Sequence, residues 1–290
     1  MNKLMIIDGD NLLYRAYFKF GGLSSKDGSP SGCIFGFPYI LRSLLTKVHP
    51  TRVISAFDGG RHAARLAVLP GYKVREQKLG FDKEAFVAQK EVVMNLLPNL
   101  GVWVAQQRGL EADDIIYSLV RRYKGLGWKI TIVSGDKDFH QLIDPDVEVY
   151  VPSKEVFLHT HTCKKYYGYT PEECVDYLIL DGDKSDKIPG VPGMGDKTIR
   201  KFLDEFESIQ RYLNLGGKKY PKLTKELYLR NRLLIDLAYF FRKTGRIKHI
   251  PLTTESVKFN MIEVAKVSRK YDANTLVKTE FIDGFKKLTE

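Results

Sequence analysis

Carboxylates recur in five separated parts of this chain, each close to a glycine and most of them just past an apolar run. The segments are "IIDGD" with Asp8 and Asp10, "AFDGG" with Asp58, "GLEADDII" with Glu111, Asp113 and Asp114, "SGDKDFHQL" with Asp136 and Asp138, and "LDGDKSDKIPG" with Asp181, Asp183 and Asp186. Any one of them reads as a turn or a helix cap, because Asp and Gly are ordinary turn formers. Together they read differently. Gathering carboxylates is costly unless cations offset their repulsion and desolvation. Oxygen donors without a Cys/His arrangement disfavour tetrahedral zinc and favour Mg2+ or Mn2+. Two such ions about 4 Å apart can activate water, bridge a phosphodiester and stabilise the departing oxygen. Asp8, Asp58, Asp113 and Asp136 are the strongest candidate ligands. Glu111 and Asp138 would support both ions, with Asp183 and Asp186 completing the second. Asp10 and Asp114 fit capping or outer-sphere roles, and Asp181 a structural one.

Those acids need elements that deliver them to one place. Leu4–Ile7, Arg52–Phe57, Gly101–Val104, Lys129–Val133 and Val147–Tyr150 have the short apolar runs of buried strands. Residues 33–48, 84–97 and 111–123 have helical spacing. Strands alternating with helices predict an α/β core with a mainly parallel central sheet and helices on both faces. Ligands of such sheets bind beyond the carboxyl ends of the strands, near a switch in strand order. Asp8, Asp58, Asp136 and Asp138 stand at those ends. From about residue 160 the pattern changes to helices and glycine turns, with helices expected over 171–181 and 223–241. The division expected is an α/β core over 1–180 and a helical region over 181–290.

The balance of 46 Lys+Arg against 35 Asp+Glu, a net charge of +11, favours a polyanionic partner. Residues 61–90 hold Arg61, Arg65, Lys73, Arg75, Lys78, Lys83 and Lys90. In "PGYKVRE", Lys73 and Arg75 could grip a scissile phosphate while Tyr72 stacks on a base, and Lys78 and Lys83 could add phosphate contacts. A solvated basic surface reads equally well from this stretch alone. A second basic segment covers 218–249. In "IPGVPGMGDKT", Gly190, Gly193 and Gly195 leave amides open, and Lys197 and Thr198 start a helix, a combination that can hold a phosphate without reading a base. It lacks the spacing of a Walker A loop. Cys33, Cys163 and Cys174 give neither a disulfide framework nor metal-ligand spacing and suit a reducing compartment. "MNKLMIIDGD" is neither signal peptide nor membrane anchor, so a soluble, cytoplasmic protein without a membrane partner is expected.

In this order the segments "IIDGDNLLYRAYF", "AFDGG" with "RLAVLPGYKVR", "GLEADDII", "VSGDKDFHQL", "LDGDKSDKIPGVPGMGDKT" and "RNRLLIDL" resemble the 5′-nuclease family over about residues 3–240. That family comprises flap endonucleases, the 5′→3′ exonuclease domain of bacterial DNA polymerase I, and small phage 5′-exonucleases. The resemblance implies a PIN-like core, a helical arch around 74–100 and a helix–hairpin–helix-like region that binds duplex DNA. It places metal ligands at Asp8, Asp58, Glu111, Asp113, Asp136, Asp138, Asp183 and Asp186, and the basic pair beside the cleaved phosphate at Lys73 and Arg75. It implies backbone-phosphate contacts at Gly190, Gly193 and Gly195, with K+ held near Val191. Two departures stand out: the basic pair is one residue closer than the usual YK-x-x-R, and the span from Lys73 to Gly101 leaves room only for a compact arch. The activity implied is metal-dependent, structure-selective 5′→3′ exonuclease and flap endonuclease cleavage of branched or 5′-ended DNA in replication, leaving a 5′-phosphate. A monomer is expected, in the host cytoplasm if phage-encoded, with replication proteins as further partners. Rival readings are an RNase H-like ribonuclease acting on RNA primer–DNA hybrids and a non-catalytic DNA-structure-binding protein. Residues 251–290 are mixed and weakly patterned and resemble nothing assignable.

Overall fold

The computed structural model describes residues 2–74, 80–245, 250, 252 and 257–288. Its centre is a six-stranded sheet of β1 (Lys3–Asp8), β2 (Arg52–Phe57), β3 (Trp103–Gln106), β4 (Lys129–Val133), β5 (Val147–Val151) and β6 (Val156–Leu158), in the order β3-β2-β1-β4-β5-β6. The first five run parallel and β6 is antiparallel. Both faces are covered, which explains why the strands read as unbroken apolar runs. Leu4 and Ile6 point into one core with Ile54, Ile115, Ile130 and Ile132. Met5 and Ile7 point into the other with Leu13, Phe37, Val53 and Phe57, as the period of two requires. The third strand starts later than expected because Gly101, at φ 78°, closes a helical turn over Leu97–Leu100.

Helix α1 (Gly9–Phe20) starts directly on the end of β1, with Asp8 as its cap. A Cβ on Gly9 would meet the Phe57 ring at 2.6 Å and the Ala56 carbonyl at 2.7 Å, so only glycine lets α1 leave the sheet here. Helix α2 (Gly32–Val48) packs on α1, a short α3 (Ala63–Val68) follows β2, and α4 (Lys83–Leu96) leads towards β3. Within the span expected to arch, Phe86, Gln89, Val93 and Leu96 of α4 are buried, and Phe86 stacks on Tyr14 at 4.4 Å. That helix lies on the body of the molecule. Residues 75–79 are outside the described ones.

Helix α5 (Ala112–Lys124) connects β3 to β4. Beyond the sheet come α6 (Thr160–Tyr167) and α7 (Cys174–Asp181), then a ribbon of β7 (Gly182–Asp183) and β8 (Ile188–Pro189). Next are α8 (Asp196–Phe206), α9 (Ile209–Asn214), α10 (Lys225–Ile235) and α11 (Leu237–Lys243). The helix expected over 223–241 breaks at Asp236, whose side chain accepts the Tyr239 amide and starts α11. Helix α7, its ribbon and α8 form a helix–hairpin–helix whose Leu178, Ile199 and Phe202 join the core of Leu4 and Ile6. Helices α12 (Met261–Lys270) and α13 (Thr279–Lys286) go elsewhere. Val264, Leu276, Phe281 and Phe285 pack into the opposite core, with α2 and α4. The chain end therefore does not extend the helical region 181–243 but braces the other face of the sheet.

Candidate active site

The strand order reverses at β1 and β4, and the acids cluster where these strands end. Asp8 is buried; one of its oxygens accepts the Asn11 amide at 3.1 Å and the other the Ser134 hydroxyl at 2.8 Å. Ser134 also accepts the Asp136 amide at 3.0 Å, so a single hydroxyl ties the ends of β1 and β4 together. Sequence reasoning missed it; the only signal was a serine between Val133 and Gly135. Asp136 accepts the Asp138 amide at 3.0 Å and so caps the helical turn Lys137–Leu142 that carries Asp138.

Asp58, open to solvent after β2, is held at three points. Its amide donates to Asp10 at 2.7 Å, its Oδ1 accepts the Ala112 amide at 2.7 Å, and its carbonyl accepts the Gln106 side chain at 2.8 Å. The Ala112 contact joins β2 to the first turn of α5, where Glu111, Asp113 and Asp114 lie. On the ribbon, Asp183 accepts the Ser185 amide at 2.7 Å and the Asp186 amide at 3.2 Å, which folds Asp186 back towards the cleft.

Lys73 enters this ring of acids from the segment after α3. Its ammonium lies 2.7 Å from Glu111, 3.0 Å from Asp113 and 3.7 Å from Asp186, and its amide donates to the Asp186 carbonyl at 3.0 Å. Its φ of 52° is left-handed, an unfavourable state for lysine that the surrounding bonds hold in place. Tyr72, expected to stack on a base, does not offer a face to one. The ring is buried and the hydroxyl donates to Glu111 at 2.9 Å, because the chain must turn inward here to deliver Lys73. Arg65, a member of the basic segment without an assigned site role, is fully buried. It donates to Glu111 at 2.8 Å and to both oxygens of Asp114 at 2.8 and 2.9 Å, with its guanidinium 3.8 Å from the centre of the Phe240 ring on α11.

These neighbours set the charge state of the cleft. Burial, then the Asp113 charge, push Asp8 well above the usual carboxylate range. Partial desolvation, then the Asp10 and Asp113 charges, raise Asp58 although it is open to water, and burial with Asp113 lifts Asp136 to about 6. Burial raises Asp186 to about 7 against the pull of Lys73, and burial with Asp136 raises Asp138 well above its ordinary value. Glu111 goes the other way: burial would raise it, but Arg65 and Lys73 bring it down to about 2. Both its oxygens are engaged by protein donors, so it stands as a fixed anion that seats Lys73.

Asp8, Asp58, Asp113, Asp136, Asp138, Asp183 and Asp186 thus feel one another across the cleft. Among the described residues, no three acidic, histidine or cysteine side chains are close enough to hold one ion. Lys73 stands between Glu111, Asp113 and Asp186. The donor chemistry nevertheless fits a hard divalent cation. All the donors are oxygens, and neighbouring carboxylates raise one another's proton affinity, which marks negative charge that protein cations leave uncompensated.

The remaining candidates lie to the side. Lys83 is exposed on the first turn of α4, and Arg75 and Lys78 fall outside the described residues. Lys197 and Thr198 are in the first turn of α8, behind its cap Gly195. Gly190 is indispensable to the hairpin: a Cβ there would meet the Asp181 carbonyl at 2.3 Å. Gly193 has φ 88°, and the Val191 carbonyl accepts the Met194 amide at 3.1 Å. Among the described residues no helix is long and apolar enough to cross a membrane.

Comparison with known proteins agrees with the fold. The family described as 5′-3′ exonuclease, N-terminal resolvase-like domain, matches residues 3–168, and 5′-3′ exonuclease, C-terminal SAM fold, matches residues 169–262. The chain is 31% identical over 271 residues to a 5′-3′ exonuclease of Aquifex aeolicus, covering 93% of this chain and 91% of that one. It is 33% identical over 246 residues to DNA polymerase I of Mycobacterium tuberculosis, covering 81% of this chain but only 27% of the polymerase. Among solved structures, bacteriophage T5 5′-exonuclease with divalent zinc ions superimposes at a TM-score of 0.69 and 22% identity, covering 99% of this chain and 97% of that one. The catalytic core of Rad2 in complex with DNA substrate aligns at 0.57 and 14% identity, covering 97% and 92%. At these identities the likeness shows a shared fold with a mostly parallel central sheet flanked by helices.

Proposed function

The chain belongs to the 5′-3′ exonuclease family, and from that premise we propose that it is a structure-selective 5′→3′ exonuclease and flap endonuclease. Its substrate would be branched or 5′-ended duplex DNA met in replication or primer removal, with an RNA-primed 5′ strand among the ends it accepts. The observation that carries this reading is that acids from the strand ends, α5 and the ribbon hairpin face one cleft that also holds Lys73. Asp8, Asp58, Asp113 and Asp136, with Asp138, Asp183 and Asp186 beside them, would hold two Mg2+ or Mn2+ ions. When bound, such ions supply an activated water and stabilisation of the departing oxygen.

The protein's own groups supply the rest. Lys73 sets its ammonium among Glu111, Asp113 and Asp186, where it would offset negative charge on a phosphate entering the cleft. Glu111 and Asp113 hold that ammonium while Tyr72 and Arg65 fix Glu111. The ribbon hairpin and first turn of α8, with Gly190, Gly193, Gly195, Lys197 and Thr198, would grip the duplex by its backbone, and the Val191 carbonyl could serve a K+ there. Lys83, with Lys78 and Arg75, would face the 5′ strand. A monomer working in the cytoplasm with replication proteins fits this role.

The test is cleavage of end-labelled flap, nicked and blunt duplexes with Mg2+, resolving product lengths. Asp136→Asn should lower cleavage by roughly 100-fold or more while DNA binding in Ca2+ persists. Cleavage unchanged by that substitution, or undiminished in EDTA, would refute the reading.

A further inference from the structure

Lys90, singled out by the sequence only as one of several basic residues, has a place that the chemistry above does not use. It lies on α4, beyond the strand ends, with its ammonium 2.6 Å from Asp10 Oδ1 and 5.3 Å from the centre of the Phe57 ring. The other oxygen of Asp10 accepts the Asp58 amide at 2.7 Å. One buried carboxylate therefore connects a lysine on α4 to the backbone of a candidate ligand. The preceding residue, Gln89, is buried and accepts the Cys33 amide at 2.8 Å, supplying the side-chain cap that Ser31 does not give α2. Adjacent residues of α4 thus clasp the first turns of α2 and α1. That double clasp fixes the rotation of α4 and aims Lys90 at Asp10.

We propose that Lys90 is a positioning residue which, through Asp10, sets the orientation of Asp58 and makes its fitness as a ligand depend on the seating of α4. The inference rests on the metal-ion reading of the cleft. With Lys90 in place, Asp10 is paired and can hold the Asp58 amide. Asp58 Oδ1 is meanwhile fixed by the Ala112 amide, so Oδ2 is the oxygen that would serve an ion. Without Lys90, Asp10 is a buried carboxylate beside Asp58 with no cation, and repulsion drives the two apart. Supporting groups behind a metal ligand typically change metal affinity 10- to 100-fold.

The experiment is calorimetric titration of Mn2+ into the DNA-free protein, paired with the Mg2+ dependence of flap cleavage. Lys90→Met should weaken Mn2+ binding about 10-fold and raise the half-saturating Mg2+ by a similar factor, with DNA binding in Ca2+ unchanged. Lys90→Arg should restore most of the loss. Because Lys90 acts through Asp10, Lys90→Met in an Asp10→Asn background should add little further. Wild-type Mn2+ affinity in Lys90→Met, failure of Lys90→Arg to rescue a folded protein, or additive losses in the double variant would each overturn the inference. A wild-type protein that cleaves nothing and binds no Mn2+ would instead bring down the nuclease reading itself.

Discussion

Metal-free protein should lose stability as the pH rises, the opposite of what salt-bridged carboxylates produce. Asp136 and Asp186 titrate at about 6 and about 7, against an ordinary value of 3.8. The native state therefore holds protons that the unfolded chain has already released, and stability falls with pH wherever that holds. The contribution is complete below about pH 4 and is lost as the pH passes through 6 and 7. At about 1.36 kcal/mol per tenfold change in proton affinity, rises from 3.8 to about 6 and about 7 are worth about 3 and 4 kcal/mol taken singly. They are not independent, because the charge of Asp136 is part of what raises Asp186. Asp58 adds little, since its exposure lets water screen it.

A combined loss of about 3–4 kcal/mol between about pH 5 and pH 8 is the reasonable figure. At 2–4 °C per kcal/mol, the Tm in EDTA should drop by roughly 10 °C across that window. Saturating Mg2+ should flatten most of the slope, because a divalent ion offsets the same repulsion that the protons relieve. Differential scanning calorimetry at several pH values, with EDTA and then with Mg2+, reads this directly. A Tm in EDTA that is flat or rises with pH would refute the electrostatic account of the cleft, as would an equal slope in Mg2+.

Two further outcomes test the scaffold. Arg65→Met leaves Glu111 and Asp114 buried without their guanidinium and should cost about 3–5 kcal/mol in chemical denaturation, whereas Arg61→Met, at an exposed position, should cost under about 1 kcal/mol. Gly190→Ala must push the Asp181 and Leu180 carbonyls away from the hairpin and should cost about 1–3 kcal/mol, weakening duplex binding in Ca2+ more than it changes the Mg2+ dependence of the residual cleavage.

The parts of the fold that were legible in the sequence are those encoded by neighbours in the chain. Leu4–Ile7 and Lys129–Val133 read as strands because a sheet covered on both sides needs unbroken apolar runs, and the acids after them followed from the topology of parallel sheets. What was not legible depends on which face of an element meets which distant partner. "PGYKVRE" gives no local sign that Tyr72 points inward; that follows from Glu111, 39 residues away, needing a donor. Arg65 carried a faint signal, since three acids in "GLEADD" exceed what a helix start can use and call for a buried cation. The apolar pattern of α12 and α13 is real, but nothing in it says that they cross to the face of α2 rather than extend the helical region.

Two contacts explain how a helical region that would grip DNA can act on a cleft built from a different part of the chain. The Lys73 amide bonds the Asp186 carbonyl on the ribbon hairpin, so the ammonium inside the acids is registered to the hairpin that leads into α8. Arg65, which fixes Glu111 and through it Lys73, lies against Phe240 of α11. A hydrogen bond resists sliding between the two parts, and the stacked guanidinium resists their separation, since withdrawing Phe240 would expose Arg65 without giving its paired acids any new partner. The distance from the hairpin that would hold a duplex to the ammonium that would meet its phosphate is therefore set by the fold itself. On this argument, selectivity for a junction at a fixed distance from the cut would belong to these two contacts as much as to any group that touches DNA.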